Sequence, residues 1–322
     1  MKTVLVTNNY TQEQINIVEK EINGLFNVLF LNDVLANEYL LTKVDYILAS
    51  GRFSLNKEFL LKLPNLKMIQ RTGVGLDTLD LEAINSIGIP LYVNSGVNAN
   101  SVAEHTIMLM LAALRKLIII NNELKAGNIK RQGIGLKTFE LSGKTVGIVG
   151  MGNIAKRLAF LLKSFGAIVY YYDINRLDEL DEKELNLNYT DLDGLFSNSD
   201  IISLHCASNS DTKHIINKNA INKMKDGVII VNTARGELIN TDDLIQAMYQ
   251  SKVSFACLDV FENESGGIDR RLLKMDNVII TPHIGGVTFD SFVKMIHYGV
   301  RNIVCFDKNS LKEIEEFKYR FN

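Results

Sequence analysis

The stretch Thr145-Val146-Gly147-Ile148-Val149-Gly150-Met151-Gly152-Asn153-Ile154-Ala155 decides the architecture of this chain. A short apolar strand runs into a glycine turn, and a helical pattern leaves it from Asn153 to Phe165. Such a unit offers unpaired N–H groups and the positive end of a helix dipole to an anion. Gly150 permits the turn, Gly152 lets the backbone approach a pyrophosphate, and Ala155 is small enough for the helix to pack on the strand. The next strand, Ile168-Val169-Tyr170-Tyr171-Tyr172, closes on Asp173, 23 positions after Gly150. A carboxylate there can accept hydrogen bonds from both ribose hydroxyls and would repel a 2′-phosphate. The pattern predicts a dinucleotide site that favours NAD, while Arg176 nearby keeps NADP open.

Outward from this unit, short apolar runs alternate with helical periods almost throughout, which argues for α/β structure with parallel sheets. Before it, strand-like runs occur at Thr3–Thr7, Asn27–Leu31, Tyr46–Ala49, Lys67–Arg71 and Pro90–Val93, with helical stretches such as Thr11–Glu21 and Leu81–Ser86 between them. After it come Ile201–Leu204, Val228–Val231, Phe255–Leu258 and Val278–Thr281, which bring the second set to six strands. Six strands with intervening helices match a complete doubly wound dinucleotide domain.

Between the two sets, one long helix is expected from about Ser101 to Lys125, followed by a Gly/Lys/Arg-rich connection from Gly127 to Lys137. Its apolar residues lie on nearly every face, so it should be covered by the other domain or by a second subunit. A helical tail from about Phe289, with Phe292, Met295, Ile296, Val300, Ile303 and Val304 on one face, could return to the first domain and make it discontinuous.

Composition narrows the function classes. The 322 residues suffice for two domains, and 47% hydrophobic with 22% charged residues is the balance of a soluble globular protein. The net charge of −2 comes without a basic stripe, so no nucleic-acid partner is expected. No apolar run approaches the roughly 20 residues of a membrane span. The N-terminus has no signal-peptide core, since the apolar start breaks at Asn8-Asn9. Cys206, Cys257 and Cys305 are odd in number and have no metal-ligand spacing, so reduced thiols, a cytoplasmic address and no metal are expected.

Two further stretches carry chemistry. Asn232-Thr233-Ala234-Arg235-Gly236 ends a strand, and Thr281-Pro282-His283-Ile284-Gly285-Gly286 ends another, with Glu264 between them. An anion-binding arginine and a His–Glu pair beside a dinucleotide suggest hydride transfer to or from a small carboxylic acid.

Together with Arg71-Thr72-Gly73-Val74-Gly75-Leu76-Asp77, Asn100-Ser101-Val102-Ala103-Glu104-His105 and Leu258-Asp259-Val260-Phe261-Glu262, these motifs closely resemble the D-isomer-specific 2-hydroxyacid dehydrogenases. The resemblance runs from Leu66 to Thr288, and its motifs occur in the family's order. It implies two doubly wound parallel-sheet domains. A Rossmann NAD-binding domain (101–286) would be inserted in a discontinuous flavodoxin-like substrate domain (1–100 and 287–322).

The resemblance also implies roles. Arg235 would hold the substrate carboxylate and carbonyl through its planar fork. His283 would exchange a proton with the carbonyl oxygen, and Glu264 would orient the imidazole and favour its protonated form. The backbone of Gly73, Val74 and Gly75 would form an anion nest for the substrate carboxylate. Around NAD, beyond Gly150, Gly152 and Asp173, would stand Asn153, Ile154, His205, Cys206, Thr233, Ala234, Asp259, Gly285 and Gly286. Asp259 would receive the nicotinamide carboxamide.

The expected partner is a small 2-oxo or 2-hydroxy acid, and the expected assembly a homodimer centred on the Ser101–Lys125 helix. Glyoxylate, hydroxypyruvate, pyruvate-like and phosphohydroxypyruvate substrates stay open. A nucleotide sensor on the same fold would have no chemical need for Arg235, Glu264 and His283 together. Departures from the family pattern are Ser265 where a proline commonly follows the glutamate, Ala207 in place of a frequent proline, and Ala49 where phosphoglycerate dehydrogenases often place arginine. Arg52 and Arg71 could still contact a phosphate. No regulatory domain is expected beyond the dehydrogenase core.

Overall fold

The computed structural model describes residues 1–50, 53–76, 78–128, 133–264 and 266–320. Arg52, Asp77, Ser265 and positions 129–132 of the expected connection lie outside the described residues. The chain forms two compact units, Met1–Asn98 with Phe289–Asn322, and Ala99–Thr288.

In the first unit, β1 (Thr3–Val6), β2 (Asn27–Phe30), β3 (Tyr46–Ala49), β4 (Met68–Arg71) and β5 (Leu91–Val93) form a parallel sheet in the order β2-β1-β3-β4-β5. That is the flavodoxin-like order, with the chain reversing direction beside its first strand. Strand alternation divides the core into two faces. Val4, Val6, Tyr46 and Leu48 pack under the helices Gln12–Ile22 and Phe289–Asp307, while Leu5, Ile47 and Ile69 pack under Leu31–Ala36, Lys57–Leu61 and Leu81–Ser86. The tail helix Phe289–Asp307 buries Phe292, Ile296, Val300 and Ile303 in this unit's own core, so the unit is discontinuous in sequence.

In the second unit, β6 (Thr145–Val149), β7 (Ile168–Tyr172), β8 (Leu187–Tyr189), β9 (Ile201–Leu204), β10 (Val228–Asn232), β11 (Val253–Leu258) and β12 (Val278–Ile280) make a seven-stranded parallel sheet. Its order, β12-β11-β10-β9-β6-β7-β8, places the reversal between β6 and β9, as in a Rossmann domain. Val146, Ile148, Ile229 and Val231 face one core, while Val149, Ile202, Leu204 and Ile230 face the other. Both faces are covered, which is why these strands read as continuous apolar runs. Full burial of each such side chain contributes about 1.5–3 kcal/mol.

Three expectations need correction. The sheet has a seventh strand, β8, which lies at the edge and has Leu187 as its one buried residue. The long helix is two helices, Ala99–Leu114 and Leu117–Lys125, because Lys116 takes a left-handed conformation (φ 51°) that ends the first. Ala99–Leu114 buries Ala103, Ile107, Leu109, Met110 and Ala113 against the helix Asn153–Ser164 and the sheet of its own unit. It is therefore covered largely within its own unit, contrary to the expectation. Leu117–Lys125 buries no residue, and Leu117, Ile118 and Leu124 stay exposed.

Candidate active site

The C-terminal ends of a doubly wound parallel sheet converge beside its reversal point, and ligands bind there. In the second unit the glycine turn and the stretches after β10, β11 and β12 stand at such ends, while residues 100–105 open the helix Ala99–Leu114. Gly150 follows β6 with φ +90°, and a Cβ on it would lie 2.6 Å from the Cys206 backbone nitrogen after β9, so only glycine lets the two strand ends meet. At Gly152 a Cβ would meet nothing within 4 Å, which leaves open space over the turn. Gly152 caps the Asn153–Ser164 helix without a side-chain hydrogen bond. Exposed Asn153 and half-buried Ile154 open the first turn. A helix start with a glycine N-cap under open space fits a pyrophosphate.

Asp173, after β7, is fixed by backbone. Its Oδ2 accepts from Met151 N at 2.6 Å and its Oδ1 from Asn175 N at 2.8 Å. The carboxylate is thus attached to the glycine turn itself, where an adenine-side ribose would sit. Arg176, which kept NADP open, is committed elsewhere. It donates to both oxygens of Glu182 at 2.8 and 2.9 Å and stacks 4.9 Å from the Tyr189 ring centroid.

After β9, the imidazole of His205 lies 2.8 Å from Ser203 Oγ, and desolvation pushes it down to about 4, so it is neutral at physiological pH. Burial pushes the Cys206 thiol up to about 11, which suits a contact surface better than a nucleophile. After β10, Thr233 meets Thr106 (Oγ1 to Oγ1 3.2 Å), and Ala234 N donates to Asn232 Oδ1 at 3.1 Å. Arg235 is half-buried. Its carbonyl accepts from Asn232 Nδ2 at 2.8 Å, and its Nη1 donates to the Ala234 carbonyl at 2.7 Å.

After β11, Asp259 is 1% exposed, a position that demands hydrogen-bond compensation for a carboxylate. It receives it from the turn after β12. Oδ1 accepts from the Thr281 hydroxyl at 2.5 Å and from Ile284 N at 2.9 Å, and Oδ2 accepts from Gly285 N at 2.8 Å. His105 Nε2 lies 3.0 Å from Thr281 Oγ1 and 3.6 Å from Asp259 Oδ1. These bonds bracket His283, which sits between them in a left-handed conformation (φ 57°). A non-glycine residue there costs on the order of 1–3 kcal/mol and persists only where its surroundings hold it.

His283 Nδ1 lies 3.0 and 3.1 Å from the two carboxylate oxygens of Glu264. Their side chains are 43% and 28% exposed, so the pair is open to a ligand. With Nδ1 engaged, Nε2 is the ring nitrogen that could exchange a proton. Half-buried Gly286 ends the turn. Gly73, Val74 and Gly75 follow β4 in the first unit. Val74 is 42% exposed and the Gly75 carbonyl accepts from Arg71 Nε at 2.9 Å.

Several supporting residues were not singled out from sequence. His105 lies inside a quoted motif without a role, and the contacts of Thr281 and Thr106 join positions far apart in the chain. Among the described residues no group of three or more His, Cys, Asp or Glu side chains converges as metal ligands would, and no helix is long and apolar enough to cross a membrane.

The family model described as the NAD binding domain of the D-isomer specific 2-hydroxyacid dehydrogenases matches residues 107–285. A hydroxypyruvate reductase of Thermotoga maritima is 41% identical over 254 residues, 78% of this chain and 81% of the relative. A glyoxylate reductase of Thermofilum pendens is 35% identical over 250 residues, 77% of this chain and 74% of the relative. The solved D-lactate dehydrogenase of Aquifex aeolicus, complexed with NAD and lactic acid, is similar at a TM-score of 0.85 and 32% identity, with 99% of each chain covered. An open glycine turn, a backbone-held acid at the second strand and a family match over more than half of the chain agree: the chain belongs to the D-isomer-specific 2-hydroxyacid dehydrogenase family and is an NAD-dependent oxidoreductase.

Proposed function

We propose that the protein reduces a small 2-oxo acid to its D-2-hydroxy acid, with His283 as the acid–base group, Glu264 as its partner and Arg235 as the substrate clamp. The observation that carries this is the approach of both Glu264 oxygens to His283 Nδ1. A carboxylate so placed holds the ring through Nδ1 and leaves Nε2 to exchange the proton. NADH, when bound, supplies the hydride. Gly150, Gly152, Asn153, Ile154 and Asp173 would hold its phosphates and ribose. His205, Cys206, Thr233, Ala234, Asp259, Gly285 and Gly286 would line the remainder.

During reduction His283 Nε2 gives its proton to the carbonyl oxygen as that oxygen gains charge, and during oxidation it takes the proton back. Arg235 presents a permanent charge and a planar fork to carboxylate and carbonyl, which fixes the ketone relative to Nε2. The backbone of Gly73–Gly75, in the first unit, is proposed as an anion nest for a carboxylate. Asp259 has three hydrogen bonds committed to Thr281, Ile284 and Gly285, so we assign it first to holding the His283 turn and only through its remaining lone pair to a carboxamide.

Glyoxylate and hydroxypyruvate are the first substrates to test, since the relatives above are named as reductases of those acids. Loss of NADH absorbance with a panel of 2-oxo acids is the experiment. Turnover of one or more members at the expense of NADH is expected, and no turnover of any member by folded, NADH-binding protein would refute the proposal.

We further propose a homodimer. Leu117, Ile118 and Leu124 on the uncovered helix, with Leu136 and Phe139, expose apolar area within a short stretch. A stable dimer buries roughly 1,600 Å² or more. Light scattering should report twice the 36.2 kDa chain mass, and Ile118→Asp should halve it. A wild-type monomer at micromolar concentration would contradict this. The free thiols Cys206, Cys257 and Cys305 fit the cytoplasmic address proposed with it.

A further inference from the structure

The loop that carries Glu264 has little in its own sequence to stiffen it. Gly266 and Gly267 follow, the latter at φ +95°, and glycine restricts the backbone least of all residues. A cavity of about 280 Å³ adjoins it, lined by Gly236, Thr241, Glu262, Asn263, Gly267 and Arg271 among others. Yet the Glu264–His283 contact requires the loop to stay in place.

Polar tethers converge just before Glu264. Glu262 Oε1 lies 2.5 Å from His214 Nε2, and Glu262 Oε2 accepts from Thr241 N at 3.0 Å. Thr241 is the first residue of the helix Thr241–Tyr249, so the carboxylate also sits at the positive end of that helix. Burial pushes the Glu262 carboxyl up, but hydrogen bonds from Thr241 and His214 outweigh it and hold the group below the usual carboxylate range. His214 is itself braced, since it is left-handed (φ 53°) and its N–H donates to the Glu237 carbonyl at 2.8 Å. Glu237 belongs to the turn that follows Arg235. At the same junction Gly236 lies so close to the loop that a Cβ on it would come within 1.9 Å of the Phe261 carbonyl carbon and 2.4 Å of Glu262 N. On the far side, Asn263 Oδ1 accepts from Gly266 N at 2.9 Å.

We propose that Glu262 and His214 are positioning residues, whose tether fixes the Glu264 loop to the turn carrying Arg235 and so keeps Glu264 on His283. The proposal rests on the acid–base reading of His283 and Glu264. Neither residue needs to touch substrate or cofactor. A misplacement of about 1 Å far from the reacting atoms can cost on the order of 10²-fold in rate.

The test compares Glu262→Ala, Glu262→Gln and His214→Leu, alone and combined with Glu264→Gln, measuring kcat for 2-oxo acid reduction and NADH affinity by fluorescence titration. Glu262→Ala and His214→Leu should lower kcat by about 10–10²-fold, with NADH affinity kept. Added to Glu264→Gln, either should lower kcat little further, because the tether acts through Glu264; general loosening would add its own loss. Glu262→Gln keeps an acceptor for Thr241 N and a partner for His214, and should restore near-normal turnover. His214→Leu serves as the second variant if Glu262→Ala fails to fold. Wild-type kcat in Glu262→Ala or His214→Leu, or losses that add in the combined variants, while Glu264→Gln lowers kcat, would overturn the positioning role alone. Wild-type kcat in Glu264→Gln would overturn the acid–base reading, and the positioning proposal with it.

Discussion

At the β6–β7 side of the seven-stranded sheet the polar group is held by backbone: Asp173 accepts from Met151 N and Asn175 N, and nothing about it needs to move. At the β10–β12 side the groups rest on one another's side chains. His283 leans on Glu264, Glu262 on His214, and Asp259 draws on Thr281 as well as on two backbone N–H groups. The difference fits the roles proposed for the two sides. A carboxylate that reads ribose hydroxyls acts in one protonation state, and rigid amides serve it best. A group that trades a proton must change charge in place, and a neighbouring carboxylate on a braced loop can follow that change without the backbone shifting.

The two sides should therefore respond differently to substitution. The largest effect belongs to the reacting side. His283→Ala should cut turnover by about 10²–10⁴-fold, as expected for a lost general acid, while fluorescence titration finds NADH binding largely kept. Near-normal turnover would remove His283 from the chemistry. On the binding side, Asp173→Ala should leave the chemical step intact and act on cofactor choice. The loss of a hydrogen bond to a charged group, about 1.5–3 kcal/mol, should narrow the NADH-over-NADPH preference by roughly 10–10²-fold. A wild-type enzyme that favours NADPH would reverse this, with Arg176 released from Glu182. The smallest effect lies at the junction behind the reacting side. Gly236→Ala forces a Cβ against the Phe261 carbonyl and should cost about 1–3 kcal/mol, read as a lowered melting temperature. An unchanged melting temperature would show that the two segments can separate freely.

What the sequence disclosed divides along the same line. Strands covered on both faces are visible as apolar runs, so β6, β7, β9, β10, β11 and β12 can be read directly. The edge strand β8 cannot, because a single buried residue, Leu187, leaves no run to see. The break at Lys116 is equally silent, since Arg115 and Lys116 are ordinary helix formers and only the backbone records the left-handed turn. Asp173 and the glycine turn are legible because they depend on local spacing within one βα unit. The tether is not, since His214 and Glu262 stand 48 positions apart and Glu262 reads as one more acid beside Glu264. The chain from His105 through Thr281 to Asp259 likewise joins positions whose proximity only the folded sheet creates.

The claim on which the rest depends is that Glu264 and His283 act as one acid–base unit. The direct measurement is kcat for 2-oxo acid reduction in the wild type, Glu264→Gln, His283→Asn and the double variant. The carboxylate 3.0 Å from Nδ1 acts on the proton transfer only through the imidazole. Each single variant should therefore lose turnover, and the double variant should be little slower than His283→Asn alone. Wild-type kcat in Glu264→Gln, or losses that simply add in the double variant, would contradict the account and leave Glu264 a loop carboxylate.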